Sequence, residues 1–185
     1  MNNPNFVLSI KKSEITPEGF PYTIPSIFQL KELSFDKPVT FFVGENGSGK
    51  STLLEAIAVN LGLNAEGGSR NFNFRTTDSH SQLYENLKII RGHKRPKDSY
   101  FLRAESFYNV ATEIDEIKDD ILKYYGNKSL HTISHGESFM TILEKRLFGN
   151  GLYLFDEIES ALSPSRQMQA LAHICLLYTS PSPRD

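Results

Sequence analysis

The chain has 185 residues, a formal net charge of −2 and a single cysteine, Cys175. A length in this range predicts one domain, and the nearly balanced charge gives no overall indication of a nucleic-acid or anionic-membrane partner. One cysteine excludes a disulfide framework and favours the reducing environment of the cytoplasm. No apolar run approaches the roughly 18 residues that a membrane-spanning helix needs, so a membrane partner would have to be another chain.

The first part of the chain predicts short strands joined by turns. Alternating apolar residues indicate a strand over 5–10, and Pro and Gly residues make 11–25 a loop with turns. Residues 24–33 are either a short helix or an irregular run, and they lead to a second strand near 33–35. A turn over 36–38 then enters the next predicted strand.

Residues 39–52 carry the most informative motif of the chain. An apolar, β-branched and aromatic run over 39–43 predicts a strand, and an i, i+3, i+4 apolar stripe predicts a buried helix over 51–61. The glycine-rich turn between them fits the pattern G-x-x-x-x-G-K-[ST] of a phosphate-binding loop, the P-loop or Walker A motif. The alternative is a glycine-rich strand–helix turn that matches the pattern by chance.

Glycines suit this turn because a chain wrapped around phosphates needs positive φ angles and no Cβ atoms in the way. Backbone N–H groups and the N-terminus of the following helix then favour an anion. In this interpretation, Lys50 contacts the β- and γ-phosphates of ATP and takes part in catalysis, while the Ser51 hydroxyl helps to bind Mg²⁺. The candidate nucleotide-binding residues are Gly44, Asn46, Gly47, Ser48, Gly49, Lys50, Ser51 and Thr52.

The middle of the chain is less informative. Residues 71–74 alternate with period two and predict a half-exposed strand, whereas 79–90 are compatible with either a strand or a helix. A basic run over 91–97 either contacts nucleic-acid phosphates or forms a solvated loop.

Strands and helices alternate in the second half of the chain. The sequence predicts a strand over 99–104, helices over 110–125 and 138–147, and a strand over 152–155 that is buried on both faces. The helices form an insertion at about 107–150. This alternation indicates an α/β fold with a mainly parallel sheet flanked by helices, beside a small antiparallel N-terminal part.

Two acids, Asp156 and Glu157, follow the last predicted strand, as in a Walker B motif. Asp156 would hold Mg²⁺, and Glu157 would orient or deprotonate the attacking water as the catalytic base. The alternative is a pair of acids that caps the next helix. Because phosphoryl transfer requires both parts, the phosphate-binding loop favours the Walker B interpretation.

Two further stretches carry a family resemblance. The sequence Ile133-Ser134-His135-Gly136-Glu137 resembles the signature loop of ABC-type ATPases, although His135 and Glu137 depart from its usual Leu-Ser-Gly-Gly-Gln. Residues 160–164 resemble the D-loop of that family. The resemblance covers residues 44–164 and implies a P-loop NTPase fold.

The resemblance implies a head-to-tail homodimer in which ATP lies between the P-loop of one subunit and the signature loop of the other. Ser134 and the backbone N–H of Gly136 would then contact the γ-phosphate. Glu137 would either lie near the nucleotide or cap its own helix. Glu105 matches the position of the family's Q-loop glutamine, which senses Mg²⁺ and the attacking water; the alternative is an ordinary surface loop.

Within that family, the chain is similar to the small soluble predicted ATPases, an AAA-like branch related to chromosome-maintenance and recombination-repair ATPases. Ile158 follows the Walker B glutamate, where transporter subunits usually carry proline. Four functions stay open: a soluble ATPase, the nucleotide-binding subunit of a transporter, a DNA-repair ATPase, and an ATP-dependent interaction module that does not hydrolyse ATP. The sequence supports neither a DNA partner nor a membrane-protein partner.

The C-terminal sequence departs from the resemblance. A helical pattern begins at Gln167 and is lost after Ile174, and residues 175–185 resemble translated sequencing-adapter sequence, with a disordered tail as the alternative. The ATPase domain is therefore assigned to residues 1–174. The resemblance implies a further strand and a switch-loop histidine after Ile174, so we expect the chain to bind ATP but to hydrolyse it poorly.

Overall fold

The computed structural model describes residues 5–15, 17–69, 81–116, 131, 134–147 and 149–179. The expected strand over 71–74 lies outside these residues. The chain divides into two compact units, which are Met1–Ala65 with Thr76–Pro96 and Glu66–Arg75 with Lys97–Asp185.

The first unit is built on a three-stranded antiparallel sheet. Its central strand is β1 (Val7–Lys12), which pairs with β2 (Glu32–Ser34) on one side and with β4 (Leu87–Arg91) on the other. Ile10 of β1 is fully buried. The prediction of a small antiparallel N-terminal part is confirmed, although β1 begins two positions later in the chain than the pattern over 5–10 indicates.

Two helices and a 3₁₀ turn complete the first unit. The alternatives for residues 24–33 resolve into α1 (Pro25–Gln29) followed by β2, and the proline at the start of α1 occupies a position where no N–H is needed. The predicted helix after the P-loop is confirmed as α2 (Lys50–Asn60). The 3₁₀ turn Gln82–Asn86 packs on α2, and the side-chain amide of Asn60 donates to the carbonyl of Tyr84 at 2.7 Å. The buried side chains of α2 are Leu53, Leu54, Ala56, Ile57 and Ala58.

The strand predicted over 39–43 is absent from this structure, so that prediction is wrong. The run is not part of either sheet, and the exposed fractions of Phe41 and Val43 are 71% and 92%. A strand requires a neighbour whose backbone accepts and donates its hydrogen bonds. Among the described residues, the strands form hydrogen-bonded ladders only with one another, and no strand pairs with the run over 39–43.

The second unit contains a mixed sheet. Strand β5 (Asp98–Arg103) pairs antiparallel with the short β3 (Gly68–Ser69) and parallel with β6 (Gly151–Asp156). The strands predicted over 99–104 and 152–155 are therefore confirmed. The register of the parallel pair runs from Asp98 opposite Gly151 to Arg103 opposite Asp156.

Helices follow each of the two parallel strands. Between β5 and β6 lie α3 (Phe107–Glu116) and α4 (His135–Thr141), and α4 continues into a π-helical turn, Ile142–Arg146. A 3₁₀ turn, Ile158–Ala161, and α5 (Pro164–Thr179) follow β6. These elements share one core, whose largest fully buried side chains include Tyr100, Phe107, Phe139, Ile114, Ile142 and Leu143.

Three expectations for this unit need correction. The described residues do not form the predicted mainly parallel sheet. Among them, β5 and β6 are the one parallel pair of strands, and the other pairs are antiparallel. Strand β6 is not buried on both faces, since its residues 151–155 are half-buried and β5 is its one partner in the described sheet. The helical pattern does not end at Ile174, because α5 continues to Thr179.

The predicted helices of the insertion are confirmed with shifted ends. The helix expected over 110–125 begins at Phe107, and its residues beyond Glu116 lie outside the described part. The helix expected over 138–147 begins at His135. None of the helices in the described ranges is long and apolar enough to cross a membrane.

Candidate functional site

The glycine-rich turn of the first unit has the backbone that the motif predicts. Gly47 and Gly49 have φ angles of +79° and +91°, which favour glycine because other residues rarely adopt them. A Cβ atom at Gly44 would lie 2.8 Å from the Ser48 hydroxyl oxygen, so the Ser48 side chain would have to move to admit it. The turn is closed by a hydrogen bond from the Ser48 N–H to the Glu45 carbonyl at 3.2 Å.

Lys50 folds back over this turn. Its Nζ donates to the carbonyl oxygens of Gly44 at 2.8 Å and Glu45 at 2.9 Å. Lys50 is also the first residue of α2, where unsatisfied N–H groups concentrate partial positive charge. The ammonium group and the start of a helix therefore meet at one turn, an arrangement that attracts phosphate oxygens.

Residues at the start of α1 pack against the glycine-rich turn. Gly49 is buried, and an added Cβ would lie 3.1 Å from Ile27 and 3.2 Å from Ile24 and from the Ser26 hydroxyl. Ser26 donates a hydrogen bond from its hydroxyl to the carbonyl of Ser48. The sequence analysis missed this support, because the contact joins residues that are distant in the chain.

The remaining candidates of the first unit surround this turn. Asn46 is exposed at the tip, and Ser51 and Thr52 are half-buried in the first turn of α2. The predicted residues 44–52 therefore form one continuous surface of turn and helix start. The predicted metal ligand Ser51 belongs to this first unit, whereas Asp156 and Glu105 belong to the second.

In the second unit, Asp156 ends β6 and is buried, with 4% of its surface exposed. Its Oδ2 lies 3.3 Å from Nε of Arg103, the residue opposite in the parallel register. The same guanidinium reaches Glu105, whose Oε2 lies 3.2 Å from Nη2. The structure therefore brings Asp156 and Glu105 together through Arg103, a residue that the sequence analysis did not single out.

Glu157 has an unusual backbone conformation. Its φ and ψ angles are 52° and 33°, in the left-handed region that residues with a Cβ rarely occupy. Its carbonyl accepts hydrogen bonds from the Ser160 hydroxyl at 2.8 Å and from the Ser160 N–H at 3.0 Å. The Glu157 backbone is thus held at the sharp turn between β6 and the following 3₁₀ turn, and its side chain is exposed. Such backbone strain is frequent at functional positions.

The predicted signature loop forms the N-terminus of α4. Ser134 and Glu137 form a capping box, in which the Ser134 side chain accepts from the Glu137 N–H and the Glu137 side chain accepts from the Ser134 N–H. Of the two alternatives for Glu137, the structure shows the helix cap. The Ser134 hydroxyl bond, the Ser134 backbone bond and the charge of Arg166 lower the pKa of the Glu137 carboxyl below its ordinary value.

Arg166 of α5 lies across this loop. Its guanidinium is 3.4 Å from both the Ser134 hydroxyl and the Glu137 carboxylate. Gly136 is buried beneath Arg166. A Cβ atom added to Gly136 would lie 2.7 Å from Nη1 of Arg166 and 3.2 Å from the carbonyl oxygen of Ala161. The signature-like and D-loop-like stretches are therefore in contact within one unit.

The residues present fit a nucleotide with Mg²⁺. The turn at 44–50 has the small residues, the ammonium group and the helix start that phosphates need. In the other unit, the Asp156 carboxylate is the kind of oxygen ligand that Mg²⁺ binds. Across the described ranges, no three His, Cys, Asp or Glu side chains are grouped closely enough to hold a metal ion by themselves. Mg²⁺ at phosphates does not require such a group, because it uses one or two carboxylates together with phosphate oxygens and water.

Comparison with known protein families gives a match. A family model described as an AAA domain matches residues 26–160. The matched range contains both the glycine-rich turn and the two acids at the end of β6. No curated protein and no solved structure matches the chain.

Proposed function

We propose that this chain, which belongs to the AAA domain family, binds ATP with Mg²⁺ through residues 44–52 and hydrolyses it to ADP and phosphate. Family membership implies nucleotide binding, typically with Mg²⁺. The observation that carries the proposal is the position of Lys50, whose Nζ lies at the glycine-rich turn on the first turn of α2.

In this proposal, the P-loop residues bind the phosphates. The ammonium group of Lys50 leaves the carbonyls of Gly44 and Glu45 for the β- and γ-phosphate oxygens, which are stronger acceptors because they are charged. Backbone N–H groups of the turn and of the start of α2 donate to the remaining phosphate oxygens. Because these donors are fixed by the positive φ angles of Gly47 and Gly49, little reorganisation accompanies binding.

The proposed Mg²⁺ ligands are the Ser51 hydroxyl in the first unit and the Asp156 carboxylate in the second. When bound, the ion neutralises charge on the β- and γ-phosphates. Glu157 is the proposed base, because its exposed carboxylate follows Asp156 directly and is fixed by a constrained backbone. Its carboxylate accepts a hydrogen bond from the attacking water and thereby orients it toward the γ-phosphate.

The finer proposal is an ABC-type mechanism, with ATP between two head-to-tail copies of the chain. The Ser134 hydroxyl and the Gly136 N–H of one copy would then contact the γ-phosphate bound to the other. In the capping box the Ser134 hydroxyl donates to the Glu137 carboxylate at 2.7 Å, so this hydroxyl would exchange that bond for one to the phosphate. Since ATP would be bound more tightly between two copies than by one copy alone, ATP favours association by mass action.

Phosphate release tests the catalytic part of the proposal. Glu157→Gln retains ATP binding and lowers the rate of phosphate release by about a hundredfold or more, the usual contribution of a general base. Glu159→Gln is the matched control, because Glu159 is an exposed carboxylate two positions further on in the 3₁₀ turn. Equal rates for Glu157→Gln and the parental chain would contradict the assignment of Glu157.

Sedimentation of Glu157→Gln tests the dimer. This variant retains ATP, so it should sediment as a dimer with Mg²⁺ and ATP and as a monomer with ADP. Ser134→Ala should weaken the ATP-dependent dimer without weakening ATP binding by the separate chain. A monomer under both nucleotide conditions would contradict the head-to-tail arrangement and leave the P-loop proposal intact.

A further inference from the structure

Arg103 connects a buried acid to an exposed one. It is the last residue of β5, and Asp156 lies directly opposite as the last residue of β6. Its side chain is 16% exposed, compared with 5% for Asp156 and 78% for Glu105. Both carboxylates lie within 3.3 Å of the guanidinium. The Arg103 guanidinium therefore contacts one carboxylate in the interior of the unit and one at its surface.

The position of Arg103 places it in competition with a metal ion. A carboxylate as buried as Asp156 requires a positive partner, since an uncompensated buried charge is strongly destabilising. The guanidinium group keeps its charge at all ordinary pH values, so Arg103 supplies a positive partner that does not titrate away. Mg²⁺ binds the same kind of oxygen and would be repelled by a guanidinium at the same distance.

We propose that Arg103 is a positioning residue that occupies Oδ2 of Asp156 until Mg²⁺ binds this carboxylate, and that its guanidinium is then retained by Glu105. This inference rests on the proposed function. Glu105 lies at the surface, so it holds the arginine rather than the metal ion. Arg103 thereby lowers the affinity of Asp156 for Mg²⁺.

A purely structural ion pair is the competing explanation, and the chain contains a matched control. Arg146 donates to both carboxylate oxygens of Asp98 at 2.7 Å and 3.0 Å, in the same unit and at the opposite end of β5. Its side chain is 15% exposed, close to the 16% of Arg103. Removal of either arginine should lower thermal stability, but only removal of Arg103 should change the affinity for a divalent ion.

Isothermal titration with Mg²⁺ alone, without nucleotide, tests the proposal. Arg103→Gln should bind Mg²⁺ more tightly than the parental chain by about tenfold or more, because one positive charge next to the ion is removed. Arg146→Gln should bind it with the parental affinity. Equal Mg²⁺ affinities for Arg103→Gln and the parental chain would overturn the inference.

Binding of a fluorescent ATP analogue in EDTA separates this inference from the proposed function. If the parental chain and Arg103→Gln both bind the analogue but have the same Mg²⁺ affinity, the proposed function stands and the role of Arg103 is refuted. If the parental chain fails to bind the analogue both in EDTA and with Mg²⁺, the proposed function is refuted together with the inference.

The parental chain provides a second measurement, which does not depend on Arg103→Gln folding. The Nε–H signal of Arg103, assigned by its loss in Arg103→Lys, comes from the nitrogen that lies 3.3 Å from Oδ2 of Asp156. A non-hydrolysable ATP analogue in EDTA should leave the signal in place, and the same analogue with Mg²⁺ should shift it. An Arg103 signal that is identical in the two conditions would overturn the proposal.

Discussion

Ser134 and Glu137 exchange hydrogen bonds across the first turn of α4. The Glu137 Oε2 accepts from the Ser134 hydroxyl at 2.7 Å and from the Ser134 N–H at 3.0 Å, and the Glu137 N–H donates back to the Ser134 hydroxyl oxygen at 3.4 Å. Satisfying N–H groups at the start of a helix stabilises it, because these groups have no partner within the helix. The glutamate that replaces the glutamine of an ABC-type signature is therefore a structural part of its own helix.

This capping box predicts a pH dependence. Because the folded chain lowers the pKa of Glu137, its contribution to stability is complete above the ordinary pKa of a glutamate and is lost as the pH falls through the lowered value. NMR titration of the Glu137 carboxyl should therefore give a midpoint below that of a glutamate in a short peptide. Ser134→Ala should raise the midpoint more than Arg166→Ala, because the Ser134 side-chain bond is the largest cause of the shift.

Unchanged midpoints in both variants would contradict this prediction. A larger rise in Arg166→Ala than in Ser134→Ala would mean that the ion pair, rather than the cap, controls the carboxyl.

The P-loop glycine before Lys50 should be sensitive to any side chain. Gly49→Ala introduces a Cβ at a φ of +91° and 3.1–3.2 Å from Ile24, Ile27 and Ser26. The backbone cost is about 1–2 kcal/mol and the close contacts add about 1–2 kcal/mol, so urea unfolding should show a loss of about 3 kcal/mol. The same substitution should abolish binding of a fluorescent ATP analogue.

Gly62→Ala is the matched control for this prediction. Gly62 also has a positive φ, +80°, but no atom lies within 4 Å of an added Cβ. It should lose only the backbone part, about 1 kcal/mol, and keep nucleotide binding. If both variants lost the same free energy of unfolding, the contacts between Gly49 and α1 would contribute nothing to the stability of the turn.

Local patterns were sufficient to predict the parts of the fold that depend on neighbours in sequence. The stripe of Leu53, Leu54 and Ile57 predicts α2 because residues three and four apart share a helix face. The turn before Lys50 was predictable because Gly47 and Gly49 meet a backbone requirement that other residues do not.

Pairing between distant segments could not be predicted in the same way. The run over 39–43 has the composition of a strand, but composition does not supply the neighbouring backbone that a strand needs. The contact between Arg103 and Asp156 depends on the parallel register of β5 and β6. A signal was nevertheless present, because oppositely charged residues end two strands that a parallel sheet would align at one edge.

The backbone of Glu157 predicts a conflict between stability and activity. Glycine relieves the left-handed strain at φ 52°, so Glu157→Gly should be more stable to urea than Glu157→Ala by about 1 kcal/mol. Both variants should lose ATP hydrolysis, because both lack the carboxylate.

The same pair of substitutions at Glu159 provides the control. Glu159 lies in the 3₁₀ turn that follows, where glycine has no advantage, so Glu159→Ala should be the more stable of the two. If Glu157→Ala were instead more stable than Glu157→Gly, the left-handed backbone at Glu157 would not be a source of strain.

Calorimetric titration of the chain with ATP and Mg²⁺ tests the central claim most directly. The parental chain should bind one ATP per chain, and Lys50→Ala should weaken binding by about tenfold or more, which corresponds to about 1.4 kcal/mol. Lys31→Ala, which removes an exposed lysine from the same unit, should bind with the parental affinity. Absence of ATP binding by the parental chain, or equal affinities for the parental chain and Lys50→Ala, would contradict the assignment of residues 44–52 as the phosphate-binding loop.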